Sequence, residues 1–296
     1  MRRCQICRKK AEVKLKSYGI YLCNECYTSF FERRIEESIR RYKIIRRGER
    51  ILIAISGGKD SVALASVLKV LSNTFELELQ ALYIDLGIGD YSKKAEAKSR
   101  EVCRKLQIPL NVVKLGDYGF TIQDVDIKKV CSVCGNAKRY IMNRFARENG
   151  FNAIATGHNV EDILVNFFKN WLSGNKQWTE KQSPRTEGFD KMVTRIRPLF
   201  LRTEQETNLY VKIKDLPTLA EKCPNTKTDR WRGIIDEIEA KIPGFKQNFV
   251  RNLFTEGYQE EMKYGYCSRC GEMTVSKICQ FCRNAERYGK TKDLRR

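Results

Sequence analysis

Ile51-Leu52-Ile53-Ala54-Ile55-Ser56-Gly57-Gly58-Lys59-Asp60-Ser61 is the stretch on which the fold turns. Its first five residues are a continuous apolar run, the pattern of a parallel strand buried on both faces. The glycine pair ends that strand, and a helical pattern over 61–71 follows. Backbone N–H groups and the positive end of the helix dipole converge between the two elements, where an anion belongs. Gly57 and Gly58 let the backbone approach a phosphate closely, Ser56, Ser61 and Lys59 add donors and charge, and Asp60 suits magnesium. The spacing differs from the G-x-x-x-x-G-K-[ST] loop, so a different nucleotide loop is expected. A tight turn without a ligand is the alternative, and the strand-loop-helix context speaks against it.

Outward from this loop the same alternation repeats. Strands are expected over 79–84, 110–115 and 153–156, with helices beginning near Ser92 and spanning 136–148. Parallel strands need crossover helices, so the reading is α/β with a doubly wound parallel sheet that binds ligands at the carboxyl ends of its strands. Ile163, Leu164, Phe167, Phe168, Trp171 and Leu172 make a helical stripe assigned to packing. Residues 173–197 are polar and read as a long loop. Thr203 with Glu206 forms a capping box opening a helix that stops before Asp215-Leu216-Pro217, and helices follow over 231–241 and from Asn248. Near the start, Ser29 with Glu32 suggests another capping box and a linker helix over 29–47, its arginines either tracking phosphates or merely solvated. The expected units are an N-terminal zinc ribbon (1–28), a linker helix (29–48), a nucleotide-binding catalytic domain (49–225), a helical extension (226–262) and a C-terminal zinc ribbon (263–296).

The ribbons rest on cysteine spacing. Cys4-x-x-Cys7 with Cys23-x-x-Cys26, and Cys267-x-x-Cys270 with Cys279-x-x-Cys282, are two four-thiolate sets suited to structural Zn2+. No segment is apolar enough to span a membrane, and residues 1–10 contain no apolar signal core, so a cytoplasmic chain is expected. In that reducing compartment its 12 cysteines favour metal or thiol chemistry over disulfides. A formal charge of +20 favours a polyanionic partner, with a solvated basic surface as the alternative. Arg2, Arg3 and Arg8 flank the first tetrad and Arg269, Lys277 and Arg283 the second, which suggests that the ribbons also touch RNA. Cys103, left over on an amphipathic helix, is expected to be buried.

Three further cysteines have a suggestive setting: Cys131 and Cys134, followed by Gly135 just before the expected helix at Asn136, and Cys223, followed by Pro224. Three thiolates can hold a 4Fe-4S cluster with one iron open, a persulfide-bearing redox pair, or zinc with a noncysteine ligand. Spacing leaves these open. His158 is the only histidine, so no histidine-based hydrolase can be assembled without it.

The loop Ser56 to Ser61 resembles the PP-loop of the ATP pyrophosphatase class, which cleaves ATP between its α and β phosphates and adenylates an oxygen. Taken with Cys131-x-x-Cys134-Gly135, Lys138-Arg139-Tyr140, Thr156-Gly157-His158-Asn159 and Cys223-Pro224, nearly the whole chain resembles the TtuA-type tRNA 2-thiouridine synthetases and their wobble-uridine relatives. That resemblance implies a PP-loop fold and ATP held with Mg2+ through Ala54, Ser56, Gly57, Gly58, Lys59, Asp60, Ser61, Asp85, Gly157 and His158. It also implies a 4Fe-4S cluster on Cys131, Cys134 and Cys223, and catalytic roles for these cysteines, Asp60, Lys138 and Asp162. Glu161 stands where the family pattern usually has aspartate. The implied reaction adenylates a tRNA uridine at its C2 oxygen and replaces that oxygen with sulfur from a ubiquitin-like thiocarboxylated carrier or free sulfide, in a homodimer. Residues 138–143 resemble the enzymes acting on the T-loop uridine more than those acting on the anticodon wobble uridine. The rivals are a tRNA 2-thiocytidine synthetase, an ammonia-using PP-loop synthetase, and a zinc-ribbon RNA-binding protein without catalysis.

Overall fold

The computed structural model describes residues 2–175, 182–226, 230–254, 265–271, 273, 274, 276–278, 282 and 283. Two compact units divide between Leu253 and Phe254.

In the larger unit, a hairpin of β1 (Val13–Leu15) and β2 (Ile20–Leu22) leads into α1 (Asn24–Arg41). This helix starts five residues before the expected Ser29. Its N-cap is Cys23, whose sulfur accepts from Cys26 N, while the Ser29 hydroxyl donates to Glu25 O within the helix. Its charged face is partly neutralised internally: Arg34 with Glu37 at 2.6 Å and Arg40 with Glu36 at 2.8 Å. Its other face buries Tyr27, Phe31, Ile35 and Ile39.

The central sheet comprises β3 (Arg50–Ile55), β4 (Glu78–Asp85), β5 (Leu110–Lys114), β6 (Ala153–Ala155), β7 (Arg185–Thr186) and β8 (Thr194–Ile196) in the order β5-β4-β3-β6-β8-β7. All pairings are parallel except β7 with β8. Leu52, Ile53, Ala81, Leu82, Ala153 and Ile154 are almost completely buried, as a two-face-covered sheet requires. The crossovers are α2 (Lys59–Phe75), α3 (Gly89–Leu106), α4 (Val130–Glu148) and α5 (Val160–Leu172). Ala146 with Met142 and Phe145 of α4 covers the face carrying Leu52, Leu82 and Ile154. The chain reverses direction across the sheet after β5, so right-handed crossovers put α2 and α3 on the opposite face.

Three expectations are corrected. The segment 173–197 is not structureless: it contains the β7/β8 edge hairpin, hidden in sequence because Thr194-Arg195-Ile196 is three residues long with a cation at its centre. Trp171 and Leu172 do not pack in the core; they are 50% and 70% exposed at the end of α5. The helix expected from Asn136 begins at Val130, because nothing in Cys131 to Gly135 interrupts helical hydrogen bonding.

The Thr203 capping box opens α6 (Glu204–Ile213), followed by α7 (Arg230–Lys241) and α8 (Phe245–Leu253). Helices α7 and α8 dock on α5 through aromatic rings: Phe168 stacks on Trp231 at 5.3 Å and Phe167 meets Phe249 edge-on at 5.0 Å. In the smaller unit, β9 (Gly265–Tyr266) pairs antiparallel with β10 (Met273–Thr274).

Candidate active site

β3 has β4 on one side and β6 on the other, so the strand order reverses there and a crevice opens at the carboxyl ends of β3 and β6. Two loops line it. The first, Ser56-Gly57-Gly58, turns from β3 into α2 with Gly57 at φ 74°, a left-handed conformation. A Cβ on Gly57 would also lie 2.9 Å from Ala95 O. Ser61 Oγ donates to Gly58 O at 2.8 Å and accepts from Ser56 N at 3.2 Å, and Leu219 N donates to Gly57 O at 2.8 Å. The loop is thus held from inside and from a distant segment, while the first N–H groups of α2 face the crevice.

The second loop follows β6. Gly157 lies against the first loop so closely that a Cβ would come within 2.9 Å of Asp60 C and 3.0 Å of Ser61 N. Asn159 and Asp162 form a reciprocal capping box at the start of α5, with Asp162 N to Asn159 Oδ1 at 3.0 Å and Asn159 N to Asp162 Oδ2 at 3.1 Å. The His158 ring is open to solvent at the rim but enclosed elsewhere, and its Nδ1 is 2.8 Å from Thr156 Oγ1. That enclosure holds His158 below the usual histidine range, and Arg197, Arg195 and Lys138 add to it against the pull of Asp162. Burial raises the Asp162 carboxyl above its usual range, with His158 and Arg232 opposing.

A chain of charges joins the loops. Lys59 Nζ sits 2.9 Å from Asp60 Oδ2 and 2.7 Å from Glu204 Oε1. Thr207 Oγ1 donates to Asp60 Oδ1 at 2.5 Å. Arg232 bridges Glu204, at 2.6 Å, and Asp162. Glu161 faces away from this chain: its oxygens accept from Lys246 Nζ at 2.8 Å and Glu204 N at 3.0 Å, and it is 3% exposed. Its two oxygens thus tie α5 to α6 and α8.

Cys131 and Cys134 lie one turn apart at the start of α4, at the same end of the sheet, because α4 runs antiparallel to the strands it connects. The segment bearing Cys223 reaches them: Cys131 Sγ donates to Asn225 O at 3.4 Å. Cys134 and Cys223 both pack on the apolar cluster of Leu86, Ile88, Leu115, Ile122, Val130 and Ile141. Burial raises Tyr91, and Cys223 and Cys134 act on it together. Among the described residues these three thiols are not gathered within 4.8 Å of one another, whereas Cys4, Cys7, Cys23 and Cys26 are, as are Cys267, Cys270 and Cys282. Each terminal set could hold one metal ion. Cys279 lies outside the described residues.

Of the other residues singled out in the sequence, Lys138 and Arg139 are exposed on the third turn of α4. Asp85 ends β4 with its carboxylate accepting from Gly87 N at 2.9 Å, and Ala54 lies half-buried on β3. Cys103 is 2% exposed, and burial pushes its thiol up to about 11. Sequence reasoning missed Glu204, Thr207 and Arg232. Glu204 and Thr207 stand on the helix whose capping box was legible, but only the tertiary fold brings that helix to Lys59. No local signal marks Arg232.

Residues 27–235 match the family model described as PP-loop domain, and residues 3–28 match 2-thiouridine synthetase TtuA, N-terminal LIM domain. The chain is 37% identical to the tRNA-5-methyluridine(54) 2-sulfurtransferase of Pyrococcus horikoshii, covering 95% of this chain and 93% of that protein. It is 34% identical to the Thermus thermophilus protein of the same description, over 95% and 90%. Among solved structures it resembles the U34-tRNA thiolase NcsA from Methanococcus maripaludis with its [4Fe-4S] cluster: TM-score 0.76, 25% identity, 100% of this chain and 99% of that one.

Proposed function

Because the chain belongs to the PP-loop family of tRNA 2-thiolation enzymes, we propose that it is an ATP-dependent tRNA-uridine 2-sulfurtransferase acting on the T-loop uridine. The observation that carries the reading is the meeting of the glycine loop, the Thr156 to Asp162 loop and the Cys131/Cys134/Cys223 trio at one end of one sheet. The T-loop position rests on relatives whose names specify 5-methyluridine 54.

ATP seats its β and γ phosphates on the amides of Gly57, Gly58 and α2, with Lys59 moving from Glu204 onto them and Asp60 facing the accompanying Mg2+. The uridine C2 oxygen attacks the α-phosphorus, the bond to the bridging oxygen breaks, and pyrophosphate leaves. Lys138 stabilises charge on the α-phosphate and Asp162 accepts the uridine N3 proton. Sulfide then bonds to C2 as the C2–O bond breaks with AMP as leaving group, giving 2-thiouridine. The three thiols of Cys131, Cys134 and Cys223, two of them packed on an apolar cluster, suit a 4Fe-4S cluster, which when bound would supply an open iron for sulfide. The four gathered thiols of the N-terminal set suit Zn2+, as does the C-terminal set. A ubiquitin-like thiocarboxylate or free sulfide is the sulfur source, and the enzyme works as a homodimer. A cytoplasmic location accords with cysteines gathered in sets suited to metal ligation rather than to disulfides. No helix among the described residues is long and apolar enough to cross a membrane.

Anaerobic purification with iron, sulfide and zinc analysis, followed by nucleoside mass spectrometry of tRNA from a deletion strain, tests the reading. Loss of the T-loop 2-thio group is expected. Unchanged thiolation at both the T-loop and wobble positions overturns it.

A further inference from the structure

A second concentration of unbalanced charge lies beside the crevice, where β8 meets α4. Asn143 of α4 donates to Lys191 O at 2.8 Å and accepts from Val193 N at 2.9 Å, which fixes one turn of the helix against the entry of β8. The parallel register places Arg195 beside Ile154, and Ile154 lies on the face that α4 covers. Arg195 is two residues, about 7 Å, beyond Val193 along the strand. One helical turn, about 5 Å, from Asn143 toward the start of α4 stands Arg139. The two guanidiniums therefore face each other across the β8/α4 groove, with Lys138 and Arg197 flanking them and His158 at the inner end.

Among the described residues Arg195, Arg139 and Lys138 lack the carboxylate partners that other arginines of the chain have. Arg185 is paired with Glu49, Arg50 with Glu78, and Arg144 with Glu148. Among the described residues no hydrogen bond or ion pair reaches the side chain of Arg195 or Lys138, and the Arg139 side chain donates only to Asn136 Oδ1 at 2.5 Å. Arg197 donates to neutral acceptors, Ser183 O at 2.6 Å and Thr186 Oγ1 at 3.1 Å. Partial burial and then Arg139 lower Arg195 from its ordinary value; burial and then Arg195 bring Arg197 to about 10. Like charges held together and partly desolvated are costly unless a ligand supplies the anion.

We propose that Arg195 and Arg139 form a binding site for a backbone phosphate of the RNA substrate, seating the strand next to His158. The inference rests on the tRNA reading above. The ATP triphosphate is not the anion in question, because β8 lies two strands, about 10 Å, from the β3 loop that holds it. A planar guanidinium pair suits bidentate phosphate contact.

Arg195→Ala and Arg139→Ala are tested separately for tRNA binding across a salt series and for ATP binding. Arg100→Ala, which removes an exposed α3 arginine paired with Glu96, is the charge-loss control. Each test variant is expected to weaken tRNA binding about 10-fold at low salt and reduce the slope of log K against log salt by about 1, with ATP affinity and the control unchanged. Arg139 is exposed on its helix, so its replacement reports binding even if Arg195→Ala folds poorly. Wild-type tRNA affinity and slope in both variants overturn the proposal, and so does a loss confined to ATP. A wild-type enzyme that thiolates tRNA alongside unaffected variants removes this site alone; one that neither binds nor thiolates tRNA removes the functional reading with it.

Discussion

Replacing Lys246 with methionine tests whether the buried Glu161 pair supports the ATP loop. The Glu161 and Lys246 side chains are 5% and 8% exposed, and Asp236, the other partner of Lys246, is 64% exposed. Removing the lysine leaves Asp236 in water but strands the Glu161 carboxylate, and losing one partner of a buried pair costs about 3–5 kcal/mol. Burial already holds the Glu161 carboxyl above the usual carboxylate range, with Lys246 pulling it back. In the variant that pull is lost and the folded-state pKa rises further. A carboxyl raised in the folded state contributes stability below its unfolded pKa and loses it as pH rises through the folded value. The deficit of Lys246→Met relative to wild type is therefore large at pH 8 and narrows toward pH 5. The double variant Glu161→Gln/Lys246→Met removes the stranded charge and recovers part of the loss. Urea unfolding of the three proteins at both pH values is the assay. A Lys246→Met deficit under about 1 kcal/mol at pH 8, or one that does not narrow on acidification, refutes the reasoning.

Gly157→Ala forces a methyl against Asp60 C and Ser61 N, an overpacking worth about 1–3 kcal/mol. It shifts the loop under the phosphates, so calorimetry is expected to show a lower melting temperature and kinetics a higher KM for ATP. Glu204→Gln frees Lys59 from a half-exposed competitor, and ATP affinity by titration calorimetry is expected to tighten about 2- to 5-fold, the range of an exposed ion pair. A weakening would assign Glu204 a direct part in nucleotide binding. Chelation of the N-terminal tetrad is expected to release four thiols to a thiol reagent and lower thermal stability, since metal ligation there supplies folding energy.

The sheet was legible because buried parallel strands announce themselves as apolar runs: the 51–55 run became β3, and 79–84 lies within β4. Thr194 to Ile196 was not, because its place is fixed by pairing with β6 and by Asn143 rather than by its own pattern. The glycine loop and the cysteine spacings carry their chemistry in contiguous residues. Arg232 and Glu204 meet Asp162 and Lys59 only through the docking of α6 and α7, which no local spacing encodes. Glu161 illustrates the converse: sequence marked it as a departure beside Asp162, and the structure turns it away onto Lys246.

The central claim is that nucleotide activation and sulfur delivery share one crevice. Anaerobic single-turnover reactions with ATP, sulfide and unthiolated tRNA, quenched for AMP and for nucleoside mass spectrometry, measure it most directly. One AMP per T-loop 2-thiouridine is predicted for wild type, with Cys223→Ser forming no thionucleoside while retaining ATP binding. Thiolation without AMP, or full thiolation by Cys223→Ser, contradicts the account.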